Sequence, residues 1–371
     1  MSTLERLQSI AQNPARVAER WKADGGKVLG YRCLYLPEEI IWAAGMLPYP
    51  LYGTPEPVGL ADAYFQSCTC EFIRNLFDHA LSDRLAFLDG LALSNTCDVV
   101  RRLYDMWSRH VPATPVYLVN NPQKLLGEAN RDYFMEELRR FRARMEEIAG
   151  REITDDGLRD AIALHNRTRA LLRELYALRE QDPPPLTGAE ALEICMAVTV
   201  LPADHADGLL TELLAELRGR QVEPSDGPRI LVTGSMLDHP ALIRMVEEEG
   251  GVVVIDDLCN TSRTFWHRVE DDPDPLTALY RFLNSRALCA CMHPVEARIE
   301  HVLELVDTYR VDAAIDFNLK YCHPFLYEAP LLKERLEAED IPVTVLEVGH
   351  DLSGHGQLRT RIQAFIEMVS V

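Results

Sequence analysis

Lysine is scarce in this 371-residue chain. Five lysines stand beside thirty-three arginines, and the 38 basic residues are outweighed by 58 acidic ones, for a formal net charge of −20. A broad basic face is therefore excluded, and with it nonspecific binding to nucleic acid. An anionic small ligand is not excluded, because a local arginine cluster outweighs the global sign. No run of about 18 apolar residues is present, so no segment reads as a membrane span. The opening MSTLERLQSIAQNPARVAERW reads as a charged amphipathic helix and not as an export signal, and a cytoplasmic protein is the expectation. Phosphate-binding signatures are also missing. There is no GxxxxGK(S/T) loop, hence no ATP hydrolysis by that device, and VTGSMLDHP holds one glycine where a dinucleotide loop needs GxGxxG. Nor is there a CxxC pair of the kind that builds a zinc knuckle.

What the chain does have is an ordinary globular balance, 47% hydrophobic and 26% charged, which argues against disorder. Its length calls for two cores. From Lys27 the text alternates apolar runs with helical patterns: KVLGYRCLYL, PEEIIWAAG, LPYPLYG, FIRNLFDHALSD, FLDGLALS, CDVVRRLYDMWSRH, TPVYLVNNP. Such alternation predicts a parallel sheet covered by helices. From about Asn130 to Arg220 long charged helical patterns replace it. After EPSDGP the rhythm returns, with RILVTGSMLDHPALIRMVEEEGGVVVIDD of βαβ size, then VDAAIDFNLKYC, a helix, IPVTVLEVG and a closing helix. The predicted fold is α/β. Two Rossmann/flavodoxin-like parallel-sheet domains, 1–129 and 226–371, face a cleft, with a helical segment, 130–225, between them.

Nine cysteines in a reducing compartment are not expected to form disulfides. Cys195, inside the helical ALEICMAVTV, reads as a small buried hydrophobe. Three others share a topological position. Cys33 ends the first strand, Cys97 follows LDGLALSN at a helix start, and Cys322 follows AAIDFNLK. Ligands of parallel sheets sit beyond the carboxyl ends of the strands, so the three thiols converge if the sheets face one another. At a helix N-terminus the dipole favours thiolate, the form that metal ligation requires; Asp98 opposes it. Cys68–Cys70 and Cys289–Cys291 are CxC pairs, whose thiols share one face of an extended segment. Packing and metal ligation both remain open for them on spacing alone. GHDLSGHG offers His350, Asp351 and His355 as a metal site or a polar loop. Arg74 and Arg263 offer forked contacts to a phosphate or carboxylate.

Five segments together resemble the 2-hydroxyacyl-CoA dehydratase / benzoyl-CoA reductase family, specifically its smaller cluster-bearing, non-ATPase subunit. They are GYRCLYLPEEIIWAAGMLPYPLYG, the stretch from ADAYFQSCTCEFIRN to NTCDVVRRLYDMW, IDDLCNTSR, KYCHPFLYEAPLLKERLEAEDIPVTVLEV and GQLRTRIQAFIEM. The resemblance implies a [4Fe-4S] cluster held by Cys33, Cys97 and Cys322, with one iron left for a non-protein ligand or substrate. It implies a heterodimer with a homologous larger cluster-bearing subunit, and an ATP-hydrolysing iron–sulfur activator that delivers single electrons. It also implies an acyl-CoA thioester as substrate. Benzoyl-CoA reductases reduce the ring through a radical anion in anaerobic aromatic degradation; 2-hydroxyacyl-CoA dehydratases eliminate water through a ketyl radical. The wording of the segments is closer to the reductase, and a non-catalytic electron-transfer subunit is the third reading. In this frame Arg263, Arg74 and Trp266 are candidate substrate contacts, Trp266 as a water shield. Cys70 and Cys259 are candidate neighbours of the cluster.

Overall fold

The computed structural model describes every residue except Leu126, Pro224, Ala287, Leu288, Ser353 and Val371. Its described residues form two parallel four-stranded sheets. In the first, β1 (Lys27–Arg32), β2 (Met46–Pro50), β3 (Gly90–Ser94) and β4 (Val116–Val119) stand in the order β2-β1-β3-β4. In the second, β5 (Arg229–Gly234), β6 (Val252–Asp257), β7 (Ala313–Leu319) and β8 (Val343–Val348) repeat that order as β6-β5-β7-β8. The predicted α/β class and paired sheets are thus present, in flavodoxin-like order.

Burial follows from the topology. Every residue of β3, β5 and β7 is buried, as expected of parallel strands covered on both faces. The edge strands differ. β2 contains Pro48 and Pro50, which lack a ladder donor and are tolerated at a sheet edge; β4 and β8 are partly exposed. In an order of this type the winding direction reverses between the first and third strands. The crevice outside their carboxyl ends is then the natural ligand position. Both reversals, β1/β3 and β5/β7, open toward the same interior space, because one cavity is lined from the ends of both pairs.

The helical stretch contains Glu128–Ala149, Asp155–Ala177, Gly188–Val200 and Ala203–Arg218. Gly188–Val200 is apolar all round, the mark of a buried helix. Ala189, Leu192 and Met196 join one core cluster, whereas Ile194, Cys195 and Val198 join another. It therefore packs between the sheets, touching β2 and β6. Cys195 is packing there, beside the Tyr176 hydroxyl at 3.6 Å. Two helices pack away from their own stretch of chain. Thr3–Gln12 lies on Gly188–Val200, and Pro275–Ser285 lies on Glu128–Ala149 within the core of the first sheet. No helix among the described residues is long and apolar enough to cross a membrane.

Candidate metal centre

Seven of the nine cysteines line one cavity of about 100 Å³: Cys33, Cys70, Cys97, Cys259, Cys289, Cys291 and Cys322. Each is delivered by a strand end or a tight loop. Cys33 follows β1 directly and has φ = +104°, a region that non-glycine residues seldom occupy and that marks functional strain. Cys97 and Cys322 are the N-cap residues of helices Asp98–His110 and His323–Glu337, after β3 and β7. Cys70 holds the same position before helix Glu71–Leu81. Ser, Thr, Asp or Asn usually occupies this position, and none of the three cysteines makes the side-chain capping bond. Cys259 follows β6. Cys289 and Cys291 come from a loop held by backbone bonds from His293 N–H to Gln123 O (2.8 Å) and from Leu125 N–H to His293 O (3.2 Å).

The thiols act on one another. Burial pushes Cys97 up to about 12, partly offset by the Val100 N–H, with Cys70, Cys289 and Cys33 as charged neighbours. Burial also raises Cys33. Two pairs touch, Cys70 with Cys322 and Cys289 with Cys291. In each, the hydrogen bond lowers one thiol to about 7, Cys70 or Cys289, and raises its partner. Two buried guanidiniums stand behind this wall. Arg263 Nη1 lies 3.4 Å from Cys259 Sγ, and both Arg263 and Arg298 favour the Cys289 thiolate.

The other residues singled out by sequence fall elsewhere. The Arg263 guanidinium, offered to a CoA phosphate, is fully buried and forked onto Asp257 (Nε to Oδ1 2.7 Å, Nη2 to Oδ2 2.8 Å). The pairing arises because β6 ends in two carboxylates, and Asp257 faces the arginine. Arg74 is buried against Asp62, Glu71 and the Thr69 carbonyl, outside the thiol cavity. Trp266 stacks on Arg173 at 3.7 Å and lines a surface pocket with His267, Arg268 and Arg281. Cys68 is exposed. His355 begins the last helix and is exposed.

His350 instead bolts three loops together. Its Nε2 meets Asp238 Oδ1 at 2.9 Å, its N–H donates to Glu71 Oε2 at 2.7 Å, and Gly53 N–H donates to Asp238 Oδ2 at 2.6 Å. Burial opposes both charges, but each partner outweighs it, so Asp238 is held low and His350 is raised. The Asp238 contribution is present above about pH 4 and fades as pH falls through its lower folded value. The His350 contribution is present below about pH 6.5 and fades as pH rises through its higher one. His350→Gln is therefore expected to cost about 2 kcal/mol at pH 6. The cost should shrink well above neutrality, as read by denaturant unfolding of both proteins across pH. A pH-independent difference would show that the imidazole acts there only by packing.

A second cavity, of about 90 Å³, shares Arg32, Cys33, Leu34, Met236 and Cys259 with the first. Its far side is charged: Glu38, Glu39, Arg169 and Arg286. Arg169 bonds Glu38 at 3.3 Å and Glu39 at 2.5 Å. Oε2 of Glu39 and the Nε atoms of Arg169 and Arg286 have no partner. Burial pulls Arg286 down to about 10; Glu39 stays ionised, because Arg169 and His165 outweigh its burial.

Do these residues fit a cluster? Among the described residues no three His, Cys, Asp or Glu side chains close on a single point as ligands of one ion do. Cluster ligands bind different irons, so their sulfurs stand apart by the width of the cluster itself. A wall of thiols in an otherwise mostly apolar cavity, with cations behind it, is the donor set that iron–sulfur groups take. Sequence reasoning placed five of the seven thiols at or beside the site and left Cys289 and Cys291 undecided between packing and ligation. Their CxC spacing is too short for a zinc knuckle, and their loop reaches the site only through its pairing with residues near 124.

The 2-hydroxyglutaryl-CoA dehydratase D-component family model matches residues 33–369. The chain is 30% identical over 363 residues to a benzoyl-CoA reductase subunit of Thauera aromatica, covering 95% of this chain and 94% of that one. It is also 30% identical to a putative dehydratase subunit of Escherichia coli, covering 94% and 93%. The β subunit of (R)-2-hydroxyglutaryl-CoA dehydratase of Acidaminococcus fermentans is 27% identical, covering 98% of each. With its paired switch-point cysteines and this near full-length match, the chain belongs to the 2-hydroxyglutaryl-CoA dehydratase D-component family.

Proposed function

We propose that the chain is the iron–sulfur subunit of an acyl-CoA enzyme, a reductase of the benzoyl-CoA type in preference to a 2-hydroxyacyl-CoA dehydratase. The observation that carries the reading is the thiol cavity sharing a wall with a charged chamber. Cys33, Cys97 and Cys322 would hold a [4Fe-4S] cluster, which supplies single electrons at low potential when bound. Leu34, Met236 and Phe325 keep water from the thiols, as a one-electron step requires. In the chamber, Arg169 and Arg286 offer unpaired N–H groups to an acyl oxygen, and ionised Glu39 accepts a hydrogen bond from a hydroxyl or a donated proton. The pocket of Trp266, Arg173, Arg268 and Arg281 adjoins the chamber at Phe282 and suits the phosphates and adenine of CoA. The relatives are subunits by name, so the enzyme is completed by a homologous larger subunit, and an ATP-hydrolysing iron–sulfur protein supplies electrons.

The reductase branch is preferred on the wording of the five sequence segments; identity does not separate the branches, since the reductase relative and a putative dehydratase subunit are each 30% identical and the other dehydratase relatives 25–27%. The test is iron analysis and electron paramagnetic resonance on anaerobically purified protein co-expressed with its partner. We expect at least four irons per chain, a sharp fall in Cys97→Ala, and a spectrum altered by benzoyl-CoA. Electron consumption in step with product marks a reductase; turnover on a catalytic amount of reductant marks a dehydratase. A folded, oxygen-protected preparation without iron would sink both.

A further inference from the structure

A groove of about 730 Å³ lies apart from the thiol cavity, between helices Thr3–Gln12 and Ala15–Ala23 and the start of helix Ala203–Arg218. Small-molecule sites run to about 300–1,000 Å³. The partly buried floor is apolar, with Ile10, Val17, Trp21, Leu201 and Leu209. The exposed rim carries Arg6, Arg16 and Arg20 against Asp24 and Asp204. We propose that this groove binds a singly charged organic anion with a planar apolar body, an aryl carboxylate. The inference goes beyond the iron–sulfur reading and does not depend on it.

Local electrostatics do not account for the cations. Arg16 stands in the first turn of helix Ala15–Ala23, where the dipole disfavours positive charge, and that turn holds no acid. Arg20 lies one turn on, close enough for the two guanidiniums to repel. Neither side chain makes an ion pair or hydrogen bond with a described residue, whereas Arg6 is held by Glu212 at 3.0 Å. In a chain of net charge −20, two neighbouring arginines without acidic partners stand beside an apolar floor. Helix Ala203–Arg218 adds its positive end. It begins after Pro202, which lines the groove and supplies no side-chain cap.

The indoles set the body of the ligand. Trp21 commits its N–H to Lys27 O at 3.0 Å, so what it offers the groove is ring carbon. Its ring lies 6.1 Å from that of Trp42, tilted by 39°, and an aromatic ring packs on such a surface. The rim sets the head group. Arg16 and Arg20 suit one carboxylate by a forked contact, whereas Asp24 and Asp204 oppose the multiple charges of a nucleotide phosphate. The groove also reaches inward. Trp42 and Leu201 line both it and the charged chamber, and Trp42 meets the His165 ring edge-on at 6.2 Å. A ligand seated on the two indoles therefore bears on a wall of the chamber.

The probe is para-fluorobenzoate, followed by fluorine NMR on anaerobically purified full-length protein, alone and with its partner subunit. The proteins are the parent, Arg16→Ala/Arg20→Ala, and Arg268→Ala/Arg281→Ala in the pocket of Trp266, with circular dichroism to verify folding. The parent should bind the probe and release it to benzoate. Affinity should fall by about tenfold or more in Arg16→Ala/Arg20→Ala, the loss expected for charge-assisted hydrogen bonds. It should stay parental in Arg268→Ala/Arg281→Ala. Benzamide, neutral, and adenosine monophosphate should displace the probe poorly. Displacement by benzamide as effective as by benzoate overturns the anion site, and tighter binding of adenosine monophosphate overturns the carboxylate in favour of a nucleotide. A folded parent that binds no probe, or a folded Arg16→Ala/Arg20→Ala with parental affinity, overturns the proposal. So does loss of binding in the presence of the partner subunit, which would make the groove a subunit interface. Iron content is read independently of every one of these outcomes, so the cluster reading stands or falls separately.

Discussion

Asp257→Ala is expected to destabilise the protein by about 3–5 kcal/mol, the range for removing one partner of a buried ion pair. Asp257 is fully buried and serves two donors besides Arg263, Arg298 Nη1 at 2.6 Å and the Thr233 hydroxyl at 2.8 Å, with His301 Nε2 beyond hydrogen-bond reach at 3.8 Å. Burial alone would raise its pKa, yet the two guanidiniums outweigh burial and hold the carboxyl well below the usual carboxylate range. Without it, Arg263 and Arg298 would keep their charge in a site with almost no solvent, since guanidinium does not deprotonate in proteins. Arg298 retains Glu328 at 2.7 Å, but Arg263 would keep only a sulfur. Against a total stability of about 5–15 kcal/mol such a loss is severe. The contrast is Arg6→Ala, which breaks an exposed pair with Glu212 and should cost under about 1 kcal/mol. Chemical denaturation of the three proteins under anaerobic conditions makes the comparison. A loss below about 1 kcal/mol in Asp257→Ala would mean that the arginines find other acceptors, and that their charge is not fixed behind the thiols.

The same residue shows where sequence reading stopped. Parallel strands announce themselves by short apolar runs, and the rule that ligands gather beyond their carboxyl ends placed Cys33, Cys97 and Cys322 at one edge. Those three do line a single cavity, because the strand order reverses twice, once in each sheet, beside them. The role of Arg263 was not legible. VVVIDD ends in two acids that alternate faces, so Asp256 meets Arg179 and Tyr176 from the helical stretch, while Asp257 meets Arg263 and Arg298. No local pattern says which arginine goes to which acid, since Arg179 and Arg298 arrive from opposite directions along the chain. The CAC loop was illegible for a similar reason: its position depends on backbone pairing near Lys124, about 170 residues earlier. The left-handed backbone at Cys33 was hidden too, because a cysteine in that conformation carries no sequence signature of the kind that glycine does.

Gly234→Ala is the second substitution expected to be severe, through the backbone and at no ligand. Gly234 ends β5 at φ = +125°, and a Cβ built there would lie 1.9 Å from the Phe317 carbonyl oxygen and 2.7 Å from its carbon. The obstacle is the main chain of β7, which no rotamer change can move. β5 and β7 would have to part at their carboxyl ends, on top of the strain of a positive φ. The expected loss is about 3–5 kcal/mol, at the extreme of single substitutions. Its functional reach follows from the next residue. Ser235 N–H donates to Phe317 O at 2.9 Å, and its hydroxyl accepts from Leu319 N–H at 2.9 Å. Leu319 O in turn accepts from Cys322 N–H at 3.0 Å. The displacement is therefore passed to the thiol at the start of helix His323–Glu337, and if that thiol holds the cluster proposed above, iron retention should fall together with the denaturation midpoint. Ser235→Ala separates the two effects. It keeps the strand contact but leaves the Leu319 amide unpaired, so it should lower stability by only about 1–3 kcal/mol while still loosening the loop that carries Cys322. If Gly234→Ala unfolds at the parental midpoint with parental iron, the close approach of β5 to β7 is not what sets the position of that thiol.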